Sequence, residues 1–202
     1  MNKEAFSKLK PEKQNRIINS AFNEFSSYPY DKVSVFQIAK NAKISRASFY
    51  CYFSDKKDIY LYLLNNLKTE IFNAIDADFS YPDPFDVIYK LFNKFADYKG
   101  SDNQKFIEMF FQNSNPIAQN IFIKDFPIIK KGKPKFNLTK YNSNISEQEC
   151  VSLIDMLFYG LSRKLHEYYM DKISKSQVLK EFDKIIHCLF NGILKEKENA
   201  WT

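Results

Sequence analysis

Glycine is scarce in this chain. Its 202 residues include four, Gly100, Gly132, Gly160 and Gly192, each at least 28 residues from the next. Phosphate-cradling loops need glycines a few residues apart, because the backbone must turn tightly against the ligand. Neither a dinucleotide fingerprint nor a Walker loop can exist here. Cysteine and histidine are also thin, at three and two. Cys51, Cys150 and Cys188 lack CxxC spacing, and only Cys188 has a histidine, His187, beside it. That argues against a zinc cluster and a disulfide framework, and it suits a reducing cytoplasm. Residues 59–64 form the longest apolar run, far short of the ~20 residues that cross a bilayer. The polar, basic start is not followed by an apolar signal core. A cytoplasmic protein with no membrane partner is expected.

What is present begins with the charge. Lys+Arg number 30 and Asp+Glu 24, a net of +6. Residues 1–57 hold 11 bases and five acids, again +6, and the remainder is neutral. A solvated surface is the bland explanation. A small module that meets a polyanion, attached to a neutral body, is the sharper one. The 20 Phe and 13 Tyr accompany abundant Lys, Asn and Ile, which points to compositional bias rather than to a function.

Nearly every segment reads as helix, and no strand alternation stands out. Pro11 suits a first turn, with Ile17, Ile18, Ala21, Phe22 and Phe25 on one face and a stop near residues 26–29. Ser34 and Gln37 have capping-box spacing for a helix over 35–41. Ser45 suits the N-cap of a short helix over 46–52. Asp55 opens a long helix with Ile59, Tyr60, Leu63, Leu64, Leu67, Ile71, Phe72 and Ile75 on a broad apolar face. Shorter patterns follow at 85–99, 102–113 and 115–129, then a polar Lys-rich loop, Lys130–Asn144, read as solvated or as a lid. Ser146 with Glu149, and Ser174 with Gln177, start two closing helices, and 195–202 reads as a frayed tail. The expectation is an all-α fold of about nine helices.

Residues 34–53 carry the chemistry. Two short helices meet through a tight connection, with Ile38, Ala39 and Phe49 inward and Ile44 in the turn. Arg46, Ala47, Ser48, Tyr50 and Cys51 then point outward, as on a helix that enters a major groove. Arginine can donate twice to guanine O6 and N7, and a small Ala47 allows close approach. Ser48 and Tyr50 can donate to phosphate oxygens, and Lys56 adds charge near a helix N-terminus.

The run Phe49-Tyr50-Cys51-Tyr52-Phe53, followed by Asp55-Lys56-Lys57-Asp58-Ile59, resembles the DNA-binding signature of the tetracycline-repressor (TetR) family of bacterial regulators. Ala21, Phe22 and Phe25 fit as well, as does the length. The resemblance covers about a quarter of the chain. It implies that Ser34 contacts phosphate, Arg46 and Ala47 address bases, Ser45 and Ser48 contact either, Tyr50 and Tyr52 contact phosphate, and Lys56 clamps the backbone. Lys43 stands where the family commonly has glycine. If that residue is left-handed, lysine costs about 1–2 kcal/mol there, offset by any phosphate contact.

The resemblance further implies a three-helix DNA-binding domain over 1–54 and a helical effector-binding and dimerisation domain over 55–202. The partners would be a double-stranded DNA operator, a small-molecule effector and a second copy of the chain, with no cofactor or metal. Pocket candidates are Tyr89, Phe92, Phe106, Met109, Phe110, Phe122 and Tyr159, although aromatic residues at helical spacing are more often core. Seam candidates are Leu157, Gly160, Leu161, Lys164, Ile186, Leu189 and Ile193, with Gly160 and Gly192 as possible close-approach points. An inducible homodimeric repressor leads. The same fold without an inducer, as a chromosome-associated or protein-partner module, comes second. A small enzyme using His187 or Cys188 comes last, since neither these nor His166 has an evident third orienting group.

Overall fold

The computed structural model describes residues 3–75, 83–112 and 146–191. Among them are nine α-helices and one 3-10 turn, and no strand. In chain order they are α1 (Lys3–Ser7), α2 (Pro11–Ser27), α3 (Val35–Asn41), α4 (Arg46–Tyr52), α5 (Lys56–Ala74), α6 (Pro84–Asp97), α7 (Gln104–Gln112), α8 (Glu147–Tyr169) and α9 (Lys175–Asn191), with the 3-10 turn at Tyr30–Lys32. The expected segments 115–129, Lys130–Asn144 and 195–202, and Gly132 and Gly192, lie outside the described residues.

Helix starts follow their caps. Pro11 opens α2. The Ser45 Oγ accepts from the Ser48 N–H at 2.9 Å, and Asp55 Oδ1 accepts from the Asp58 N–H at 2.8 Å. Asp58 answers by accepting from the Ser54 N–H and hydroxyl at 2.9 and 3.0 Å. Ser146 and Glu149 complete a reciprocal capping box. Ser174 and Gln177 do the same, with Gln177 N–H donating to Ser174 Oγ and Ser174 N–H to Gln177 Oε1. Each pair satisfies amides that the helix itself leaves without acceptors.

The described residues fall into two compact units. One runs from α1 to Ile75 and resumes at Asp97 to include α7. Within it α2 is the hub, packing on α3, α5 and α7. Its core joins Ile17, Ala21 and Phe25 of α2 to Ile38, Phe49, Phe53, Ile59, Leu64 and Ile107, all buried. Helix α1 was not anticipated from the sequence. It packs on α4 through buried Phe6, whose ring lies 5.1 Å from Phe53, 5.7 Å from Tyr62 and 6.1 Å from Tyr52.

The other unit holds α6 up to Ala96, α8 and α9. Phe85, Ile88, Leu91, Phe92 and Phe95 form the buried face of α6. The buried Tyr169 hydroxyl donates to the Phe95 carbonyl, and Tyr89 meets Phe182 at 5.6 Å. Helices α8 and α9 pack together, tied by Lys164, whose ammonium is 3.0 Å from both Glu167 and Glu181.

Candidate nucleic-acid interface

The two short helices are held at fixed geometry from beneath. Ser20 Oγ of α2 donates to the Ile38 carbonyl at 2.7 Å, and Ala39 and Phe49 are fully buried between the helices. Glu24 is buried as well, and its Oε1 accepts from the Ser34 N–H at 3.2 Å. The Ser34 Oγ accepts from the Gln37 N–H at 3.4 Å, whereas the Gln37 side chain turns to Asn41. The Ser34 box is therefore completed from another helix, by Glu24. Sequence reading missed this role, because an acid on an amphipathic helix ordinarily signals its solvated face.

The turn between α3 and α4 is a Schellman motif. The Lys43 N–H donates to the Lys40 carbonyl at 3.1 Å and the Ile44 N–H to the Ala39 carbonyl at 3.0 Å. Lys43 itself adopts φ 56°, the left-handed region. The scarcity of glycine thus puts a strained lysine at the turn, with its side chain exposed next to the start of α4. The same motif recurs at the end of α8, where Asp171 has φ 56° and its N–H donates to Tyr168 while Lys172 donates to Glu167.

Beyond the turn, Arg46, Ala47, Tyr50 and Cys51 are exposed on successive turns of α4. They are the outward face expected of a recognition helix, and an exposed arginine on it can read guanine bidentately. Ser45 and Ser48 hydroxyls lie 2.9 Å apart and share the N-cap. Ser34 sits at the entrance of α3, half-buried. Tyr52 is half-buried, its hydroxyl accepts from Lys13 at 3.3 Å, and the Lys13 ammonium also lies 5.7 Å from its ring centre.

Lys56 is occupied in this conformation. Its ammonium donates to the Tyr30 carbonyl at 2.9 Å and the Asp31 carbonyl at 3.1 Å, and lies 4.9 Å from the Tyr30 ring centre. Burial first, then the Asp55 and Asp31 carboxylates, raise the Tyr30 phenol, so the ring under the ammonium stays neutral. The first turn of α5 is thereby pinned to the connection between α2 and α3.

Residues 17–63 match the family described as bacterial regulatory proteins, tetR family. This segment, just under a quarter of the chain, is therefore similar to the DNA-binding region of that family. Over 64 residues it is 39% identical to the uncharacterized HTH-type transcriptional regulator YuxN of Bacillus subtilis (strain 168), covering 32% of this chain and 22% of that one. Over 60 residues it is 40% identical to the HTH-type transcriptional regulator HbdR of Aromatoleum sp. (strain CIB), covering 30% and 26%. The matched segment thus spans about a quarter of each relative's length. The fold extends further. The fatty acid degradation regulator FadR from Bacillus halodurans aligns over 94% of this chain and 100% of its own, with a TM-score of 0.57 and 16% identity. The all-helical architecture of the described residues, with its N-terminal helix-turn-helix, is thus a fold shared with that regulator.

Tyr89 and Phe92 belong to the unit with α8 and α9, whereas Phe106, Met109 and Phe110 belong to the α2 unit. Phe106 is buried and stacks on Phe22 at 5.0 Å, and Phe110 is buried against Phe111. Phe122 and Ile193, and the side chains of Tyr159 and Leu189, lie outside the described residues. Leu157 and Leu161 are buried, Ile186 is half-buried, and Lys164 is spent on its two glutamates. Gly160 is exposed, and among the described residues nothing lies within 4 Å of a Cβ built on it. No described neighbour in its own chain requires glycine there. His187 and Cys188 are exposed on α9. No group of three His, Cys, Asp or Glu able to hold a metal occurs among the described residues, and no described helix is long and apolar enough to cross a membrane.

Proposed function

We propose that this chain is a tetR-family transcriptional repressor that binds a near-palindromic operator as a homodimer and is released by a small-molecule effector. The observation that carries the reading is the exposed Arg46, Ala47 and Tyr50 face of α4, flanked by Lys43 and fixed from below by Ser20 and Glu24. It lies within the segment that holds the entire charge excess of the chain. Residues 1–54 read DNA in this scheme, and residues 55–202 bind the effector and dimerise, in the cytoplasm at the nucleoid. No step of it requires catalysis by His166, His187 or Cys188. In a dimer the two recognition helices would occupy successive major grooves about 34–36 Å apart. The effector must bind a conformer with a different spacing more tightly than the DNA-bound one, since equal affinity would shift nothing.

Support for the seam comes from a shallow apolar groove on α8 and α9, lined by Leu153, Met156, Leu157, Gly160, Leu161 and Ile185. Met156 is 69% and Ile185 43% exposed, which is high for large apolar side chains in a monomer. A second copy laid along α8 would cover them and approach closely over Gly160, forming a four-helix bundle. Polarisation titration on DNA flanking the gene tests the function. Specific, salt-sensitive binding is expected, and binding that never exceeds that to random duplex would refute it.

A further inference from the structure

We propose that the cleft where α2, α5 and α7 meet is a binding site for a small aromatic amine. Its free space is about 160 Å³, against the ~150 Å³ that accommodates one benzene ring. The floor is apolar, made by Ile18 and Phe22 of α2, Leu63 and Leu67 of α5, and Phe106 of α7. The Phe22 and Phe106 rings stack with an interplanar angle of 26° and offer a surface for an aromatic ring or a cation.

The polar side of the cleft favours a cationic ligand. Asn66, Glu70 and Asn103 complete the lining, so one carboxylate and two amides face no lining base. Glu70 is held in place because the Tyr98 hydroxyl donates to its Oε1 at 2.7 Å. Burial first, and then Glu70, raise the Tyr98 phenol, so it remains the donor at neutral pH. A protonated amine satisfies Glu70 and donates to the amide oxygens. A ligand carboxylate would instead meet a like charge on Glu70, weakened by the solvent to which that side chain is exposed.

The position of the cleft gives it a regulatory sense. Helix α2 supports the two reading helices through Ser20 and Glu24, and an occupant between α2, α5 and α7 alters how they pack. Operator and amine must then change each other's affinity by the same factor. This second step rests on the proposed function; the binding step does not.

The test is a titration of the full chain, with isotope-labelled Ile and Leu methyls, against phenethylamine and phenylacetate. Saturable shifts at Ile18, Leu63 and Leu67 are expected with the amine, and roughly fivefold weaker ones with the acid. Glu70→Gln, which keeps an acceptor for Tyr98, removes the preference. Asn66→Trp, an exposed position at the mouth, blocks binding of both while the other methyl signals stay folded. Equal affinity for both probes, shifts confined to the α8–α9 groove, or no saturable shift overturns the site. Operator titration on the same samples separates the readings. DNA binding without amine binding sinks this inference alone, and amine binding without DNA binding sinks the repressor alone.

Discussion

Among the described residues, two that are not glycine, Lys43 and Asp171, sit in the left-handed region at φ 56°, where a side chain costs up to about 1–2 kcal/mol. Their charges separate them. A cation near a helix C-terminus is favoured by the helix dipole and an anion is opposed. Lys43→Gly is therefore expected to stabilise by roughly 1 kcal/mol after the loss of unfolded-state stiffness, and Asp171→Gly by more. Denaturant unfolding of the two variants gives the order. Glu24→Leu should destabilise by about 1–3 kcal/mol, because the Ser34 N–H then loses its acceptor. Arg46→Ala leaves the fold intact and relaxes discrimination at one base pair by roughly 1–3 kcal/mol, read from a panel of operator variants. A uniform loss across all sequences would make Arg46 a phosphate contact. Lys43 was legible because the signature places a glycine there. Asp171 was not, since no motif marks the end of α8, and Glu24 reads as surface until α3 is laid across it.

At the level of elements, what could be read was what the caps spell out. Ser34, Ser45, Asp55, Ser146 and Ser174 all precede the helices that the sequence led one to expect. All five accept from the amide three residues on, as the spacing requires. Helix α1 escaped notice because one residue, Phe6, provides its burial, and a lone aromatic in a polar stretch has no period to detect. The candidate cleft escaped for a related reason. Ile18, Leu67 and Phe106 come from three distant segments, and only packing brings them together. The α8 cap makes a pH prediction. The Ser146 hydroxyl, and then its N–H, hold the Glu149 carboxyl below its ordinary value of 4.5. A depressed folded value means that this stabilisation is full above pH 4.5 and disappears as the pH falls through the folded value. Amide protection in the first turn of α8 should drop in acid, and Glu149→Gln should flatten that drop.

For the whole molecule, the proposed seam on α8 would make DNA binding depend on residues outside the unit that holds α4. Gly160→Arg places a charged side chain over the exposed groove and should give a monomer in sedimentation velocity. Its operator affinity should fall towards that of a single half-site, because the second half-site no longer benefits from tethering. A dimer that survives this change would locate the seam elsewhere. The tie made by Lys56 has a consequence of another kind. Two of the three ammonium hydrogens already go to the Tyr30 and Asp31 carbonyls, so a DNA phosphate would compete with them for the position and charge of the group. Docking through Lys56 would then be an exchange of partners, and forming a contact outside would slacken a fastening inside. Heat and rate would record that trade more clearly than affinity. Replacing Lys56 with Met should change the enthalpy of docking and the mobility of the α2–α3 connection together, while the equilibrium constant, set by their difference, moves least.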